Sequence, residues 1–125
     1  MTVSRVYDCL DHILEAARRA CSYVAGMTKE DFFLDTRTQQ AVILNIVVMG
    51  EATTKLLRDH AEFLNRYPEV PWRSLKGMRN RLTHGYFEIN LEVVWETVPT
   101  GLPDLLRQVS AIRGGATQDR NHGAS

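Results

Sequence analysis

Arg79, Asn80, His84 and Tyr86 fall within one short segment of the chain, and each can act on a phosphodiester. Arg79 is a permanent cation, suited to the extra charge of a phosphorane. His84 titrates near neutral pH, so its imidazole can take a proton from a hydroxyl and its imidazolium can return one to a leaving oxygen. Metal-free RNA cleavage needs those groups: a base for the 2′-hydroxyl, an acid for the 5′-oxygen, and positive charge between them. Asn80 could bond a phosphate oxygen or orient the imidazole. Tyr86 could stack on a base, donate to a phosphate, or pack its ring in a core. From Trp72 to Tyr86 the charged residues are Arg73, Lys76, Arg79 and Arg81, with no Asp or Glu. A positive local field is therefore expected, with Arg73, Lys76 and Arg81 available to the RNA backbone. A solvated basic face is the ordinary reading of such a stripe, but His84 and Tyr86 directly after it point to an anion site.

One constraint limits how this chemistry is assembled. His84 follows Arg79 by five residues, which on an uninterrupted helix separates them by roughly 140°. Either the helix ends near Thr83 and Gly85 turns the chain back, or guanidinium and imidazole meet across a subunit interface. A single histidine also cannot be base and acid at once. A two-fold dimer that brings two copies of Arg79 and His84 into one groove solves both problems.

The elements that must position these residues read as helices of one domain, since 125 residues build a single helical core and no second one. Val3, Val6, Leu10, Ile13, Ala17, Ala20 and Val24 form one stripe of a helix over about residues 3–25, stopped by Gly26. Thr28-Lys29-Glu30-Asp31 resembles a capping box opening a short turn that buries Phe32, Phe33 or Leu34, and Asp35 caps the next helix. That second long helix, about 36–60, is apolar around most of its circumference. It is either central in the core or a dimer interface, and the small size of the chain favours the interface. Glu51 on it could orient a basic residue, or more simply pair with Lys55. His60 reads as surface. Pro71 opens a helix at Trp72 whose one face carries Trp72, Leu75, Met78 or Arg79, and Leu82, and whose other face carries Arg73, Lys76, Asn80 and Thr83. Asn90 caps a helix over 91–98. Pro99, Gly101 and Pro103 predict a kink or break before helical spacing resumes at Leu105, Leu106, Val109 and Ile112. Residues 1–113 are the expected domain, and 114–125, without large apolar residues, a disordered tail.

Composition narrows the function classes. Fifteen Lys plus Arg balance fifteen Asp plus Glu, so nucleic-acid binding has to come from a local patch. Cys9 and Cys21 are unpaired by distance along one helix, which suggests a reducing compartment and a cytoplasmic protein. They have no neighbouring His to activate a thiol. No phosphate loop and no metal-ligand spacing is present, so no cofactor and no metal are expected.

Arg79, four intervening residues, His84, one residue and Tyr86, set within Gly77-Met78-Arg79-Asn80 and His84-Gly85-Tyr86-Phe87, resemble the HepT-like toxins of the HEPN superfamily. The likeness extends, in order, to Arg37-Thr38-Gln39, Gly50-Glu51-Ala52, Tyr67-Pro68-Glu69-Val70-Pro71-Trp72 and Leu91-Glu92-Val93-Val94-Trp95, and covers about residues 3–112. The resemblance implies an all-α antiparallel bundle of four to five helices, forming a homodimer. It implies a metal-independent endoribonuclease, the toxin half of a bacterial or archaeal toxin-antitoxin pair, neutralised by a minimal nucleotidyltransferase. Arg79 and His84 would be its catalytic pair, Asn80 a supporting polar residue, and Tyr86 the hydroxyl that receives adenylate. Phosphates attached there would neutralise the cationic groove. Pro99 and Gly101 depart from the smoother last helix of that family. A non-catalytic helical dimer that binds a nucleotide or an RNA end is the alternative from another class.

Overall fold

The computed structural model describes residues 2–85 and 88–124, with the backbone alone for 2–4 and 116–124. Among the described residues every regular element is a helix: α1 Thr2–Tyr23, α2 Lys29–Leu34, α3 Thr36–Asp59, α4 Ala61–Asn65, α5 Trp72–His84 and α6 Leu91–Ala124.

The expected stripe of α1 is its buried face, with Leu10, Ile13, Ala17 and Ala20 all fully enclosed. Gly26 ends the segment with a φ of 78°, a left-handed conformation that a Cβ would strain. The Thr28 hydroxyl accepts from the Asp31 N–H and the Asp31 carboxylate accepts from the Thr28 N–H, completing the capping box. Of the three candidate residues on α2, Phe32 is buried, while Phe33 and Leu34 are exposed. Asp35 caps α3 by accepting from the Thr38 N–H at 3.0 Å. That hydrogen bond, followed by the one from the Thr38 hydroxyl, holds the Asp35 carboxyl below its usual pKa. Asn90 caps α6 through the Glu92 and Val93 N–H groups.

α3 is the central helix. α1 packs on one side of it and α5 on another, while α1 also packs on α6. Arg5 and His12 of α1 lie opposite Asp59 and Glu51 of α3, so the two helices run antiparallel. One chain therefore covers most of the apolar circumference that suggested an interface. Val42, Ile43, Ile46, Met49 and Leu56 are buried, and Asn45 and Thr53 satisfy their side chains on the carbonyls of Ala41 and Met49. By length and composition α3 could cross a membrane, and 44% of its apolar span is buried within its own chain. Leu44 and Val48 remain exposed on it. α4 is an added short helix that sequence periodicity did not indicate.

Of the kink or break expected at Pro99–Pro103, the break is absent, since α6 runs through both prolines as one helix. Each proline removes one N–H and crowds the carbonyl four residues earlier. Both prolines lie on the exposed side, where a freed carbonyl can meet water, while Val94, Val98, Leu102, Leu105, Val109 and Ile112 keep one uninterrupted stripe in the core. Burying each such side chain contributes about 1.5–3 kcal/mol, enough together to carry the helix across both defects. The helix is assigned as far as Ala124, past the boundary at 113 expected from composition, and Ile112 is the last buried residue among the described side chains. Arg113 of α6 reaches Asp11 of α1 at 2.9 Å.

This account of α6 predicts that Pro103→Ala, which restores the N–H on a solvent-facing turn, raises stability by roughly 1 kcal/mol or more. Urea denaturation followed by circular dichroism measures it, and a loss of stability would contradict it.

Candidate functional site

The site is built on the crossing of α3 and α5. α5 starts at Trp72, which is buried and whose indole N–H donates to the Tyr67 carbonyl at 3.1 Å. From there Leu75 and Arg79 come down on Gly50 of α3. A Cβ at Gly50 would stand 2.1 Å from Arg79 Cβ and 2.9 Å from both Arg79 Cγ and the Leu75 carbonyl oxygen. Only a hydrogen fits there.

The close approach sets the partners of Arg79. Its Nη2 donates to Glu51 Oε2 at 2.7 Å and its Nη1 to Asn80 Oδ1 at 2.7 Å. Nε is buried without a hydrogen-bond partner. The Arg79 side chain is 26% exposed and that of Glu51 47%, so the ion pair lies at the edge of the core. With Glu51 nearly half exposed, the pair orients the guanidinium and contributes only about 0–1 kcal/mol to stability. Glu51 thus serves Arg79 rather than the expected Lys55. It also corrects the charge count along the chain, because the stretch that lacks acids in sequence receives one through space.

His84 is the last residue of α5 and is exposed. The Gly85 N–H donates to the Arg81 carbonyl at 2.9 Å and closes the helix. The helix ends one residue beyond Thr83, and Gly85, with φ −119°, caps it without a left-handed turn. Arg79 and His84 share one helix, their directions roughly 140° apart. Asn80 stays with Arg79, Arg73 and Arg81 are exposed, and Lys76 is half-buried. Tyr86, the expected adenylylation site, lies outside the described residues together with Phe87. Between the end of α5 and the start of α6 is a cavity of about 210 Å³ lined by Met78, Leu82, Ile89 and Val94 with Arg81 and Glu88.

Burial pushes the thiols of Cys9 and Cys21 above their ordinary pKa, which disfavours the nucleophilic thiolate, although His12, against expectation, lines the same cavities as Cys9. Among the described residues no three His, Cys, Asp or Glu side chains gather to hold an ion.

The family described as Ribonuclease HepT-like matches residues 13–112. The chain belongs to this family. The matched span contains Gly50, Glu51, Arg79, Asn80 and His84. A candidate RNase of Methanocaldococcus jannaschii is similar to the chain at 37% identity over 100 residues, 80% of each protein. A candidate RNase of Caldanaerobacter subterraneus is 35% identical over 103 residues, 82% of this chain and 89% of the relative. A candidate ribonuclease HepT of Thermococcus cleftensis is 35% identical over 106 residues, 85% of this chain and 94% of the relative. No solved structure gives a significant match.

Gly50 and Glu51 are the residues of the site whose part the sequence left open. Their signal was a glycine within an apolar helix followed directly by a carboxylate. Gly50→Ala should cost about 1–3 kcal/mol by forcing α5 away from α3. Gly77→Ala on α5, where a Cβ meets nothing within 4 Å, should instead stabilise by roughly 0.5–1 kcal/mol. Equal changes in the two denaturation midpoints would refute the close-approach account.

Proposed function

We propose that this member of the HepT-like family is a metal-independent endoribonuclease toxin that cuts RNA at a composite site between two copies of the chain. The observation that carries the proposal is Arg79 locked at the edge of the core by Glu51, with His84 free at the exposed end of the same helix. The family match over residues 13–112 supports the substrate class, and RNases are also what the similar archaeal and bacterial proteins are named.

In this reading a neutral His84 imidazole takes the proton of the 2′-hydroxyl. The 2′-oxygen then attacks phosphorus. The P–O5′ bond breaks as the other copy's His84, as imidazolium, gives its proton to the 5′-oxygen. The products are a 2′,3′-cyclic phosphate and a 5′-hydroxyl. Arg79 supplies the charge that a phosphorane needs, and Glu51 and Asn80 hold the guanidinium in place so that little reorganisation is needed at the reacting moment. Arg73, Lys76 and Arg81 contact the backbone of the substrate. The diverging directions of Arg79 and His84 support a homodimer, and the exposed Leu44 and Val48 of α3 offer the apolar contact for it. Residues 1–113 carry this activity in the cytoplasm, and 114–125 form a tail without chemistry.

The same site explains neutralisation. A minimal nucleotidyltransferase would join the Tyr86 oxygen to the α-phosphorus of ATP with release of pyrophosphate. The added phosphate places negative charge beside the cationic groove and blocks the RNA phosphate.

Purified protein in excess chelator should cleave RNA to cyclic-phosphate ends, and His84→Ala should lower the rate by about 10²–10⁴-fold. Saturable binding without product in the wild type would instead establish a binding module. Co-expression with the nucleotidyltransferase should add adenylate mass to wild type and none to Tyr86→Phe. Neutralisation that survives Tyr86→Phe would mean that the partner merely covers the groove.

A further inference from the structure

The cavity of about 210 Å³ between the end of α5 and the start of α6 has no part in the reaction described above. Met78 and Leu82 of α5 line it together with Ile89, Val93 and Val94. Leu82 and Val94 are buried, while Val93 is left exposed, an apolar side chain at the opening. The polar members of the lining, Arg81, Glu88 and Asn90, are all exposed. The cavity begins beside the site itself. Gly85, bonded to His84, lines it, and Arg81 precedes His84 by nearly one turn, about 60° round the helix.

We propose that this cavity holds one nucleobase, the guanine of the nucleotide whose 2′-hydroxyl His84 deprotonates. The proposal rests on the ribonuclease reading and adds a base preference to it.

Size and polarity support a base. The volume of about 210 Å³ lies below the roughly 300–1,000 Å³ of clefts that enclose a drug-sized ligand, so one ring system enters and a whole nucleotide does not. Arg81 and Glu88 bring one charge of each sign, which leaves no net charge to draw a phosphate into the apolar interior. A flat ring with a polar edge suits that lining. Unpaired RNA bases are read in this way, by contact with their faces and hydrogen bonds to their Watson–Crick edges.

The polar groups choose among the bases. Neither Glu88 nor Arg81 has an ion pair among the described residues. Asn90 Oδ1 accepts from the Glu92 N–H at 3.0 Å and the Val93 N–H at 3.3 Å, so the helix cap fixes the amide and leaves the Nδ2 donors for a ligand. The lining thus offers two carboxylate acceptors and an amide donor. Guanine carries the complement along one edge, adjacent donors at N2 and N1 followed by the O6 acceptor. Adenine and cytosine place an acceptor where the second donor is needed, and uracil has a single donor between two acceptors. A carboxylate therefore pairs twice with guanine and at most once with the others. Arg81 remains for the phosphate that follows the base.

The test uses full-length protein in two measurements. First, calorimetric titration of His84→Ala protein should show guanosine 3′-monophosphate binding about tenfold tighter than adenosine 3′-monophosphate. Adding Glu88→Gln, whose amide pairs with adenine and opposes a guanine donor, should reverse that preference with an unchanged circular dichroism spectrum. Second, with His84 intact, kcat/KM for the dinucleotide GpA should exceed those for ApA, CpA and UpA about tenfold, and Glu88→Gln should move the advantage to ApA. A merely structural Glu88 would lower all four rates alike, and that result overturns the proposal. Equal cleavage of the four dinucleotides, or equal binding of the two mononucleotides, overturns the base pocket and leaves the ribonuclease reading standing. Guanine-selective binding that Glu88→Gln reverses, with no cleavage by wild type, keeps the pocket and overturns the ribonuclease reading.

Discussion

The contact between Gly50 and Arg79 is the constraint on which the site depends. Two helices can approach this closely only where one of them presents no side chain, and at Gly50 the Cβ of Arg79 occupies the space a methyl would need. The approach sets the register of α5 against α3. With that register the next residue of α3, Glu51, meets the guanidinium at 2.7 Å. A shift of one residue along α3 would rotate the contacting position by about 100° and carry the carboxylate away. Backbone packing therefore decides the electrostatics of the catalytic candidate.

Held by Glu51 on one side and Asn80 on the other, Arg79 is a cation in a fixed orientation at the margin of the core. Its Nε retains an unused donor in a place shielded from water. His84 is the opposite case, an exposed group at a helix end. In the proposed mechanism that contrast fits two tasks, since charge stabilisation gains from rigidity and proton transfer requires access.

The rest of the fold serves that crossing. α1 and α5 enclose α3 from two sides, which turns an apolar helix into the centre of one chain. α6 closes the bundle over α1, and its tolerance of Pro99 and Pro103 follows from their placement on the water side while six apolar residues hold the inner face. The caps at Thr28, Asp35 and Asn90 start three helices where the chain must turn.

The sequence by itself determined the local structure. Helix periodicity marked the buried face of α1, cap residues marked the starts of α2, α3 and α6, and Arg79, His84 and Tyr86 with the strings that flank them marked the family. These are short-range properties, in which each residue is judged against neighbours a few positions away. Whatever depended on distant residues was decided by the tertiary structure alone. Glu51 is 28 positions from Arg79, and along the chain Lys55 was the nearer partner. The positive field counted from Arg73 to Arg81 was moderated by an acid from another helix. The prolines of α6 looked like a break because their cost is local, while the burial that outweighs it is contributed by α1 and α2. The cavities beside His12 and Lys55 had no signal in the sequence, since they exist only where two antiparallel helices meet. Local propensities are written in the order of the chain, whereas contacts across it follow from the one way its apolar faces pack together.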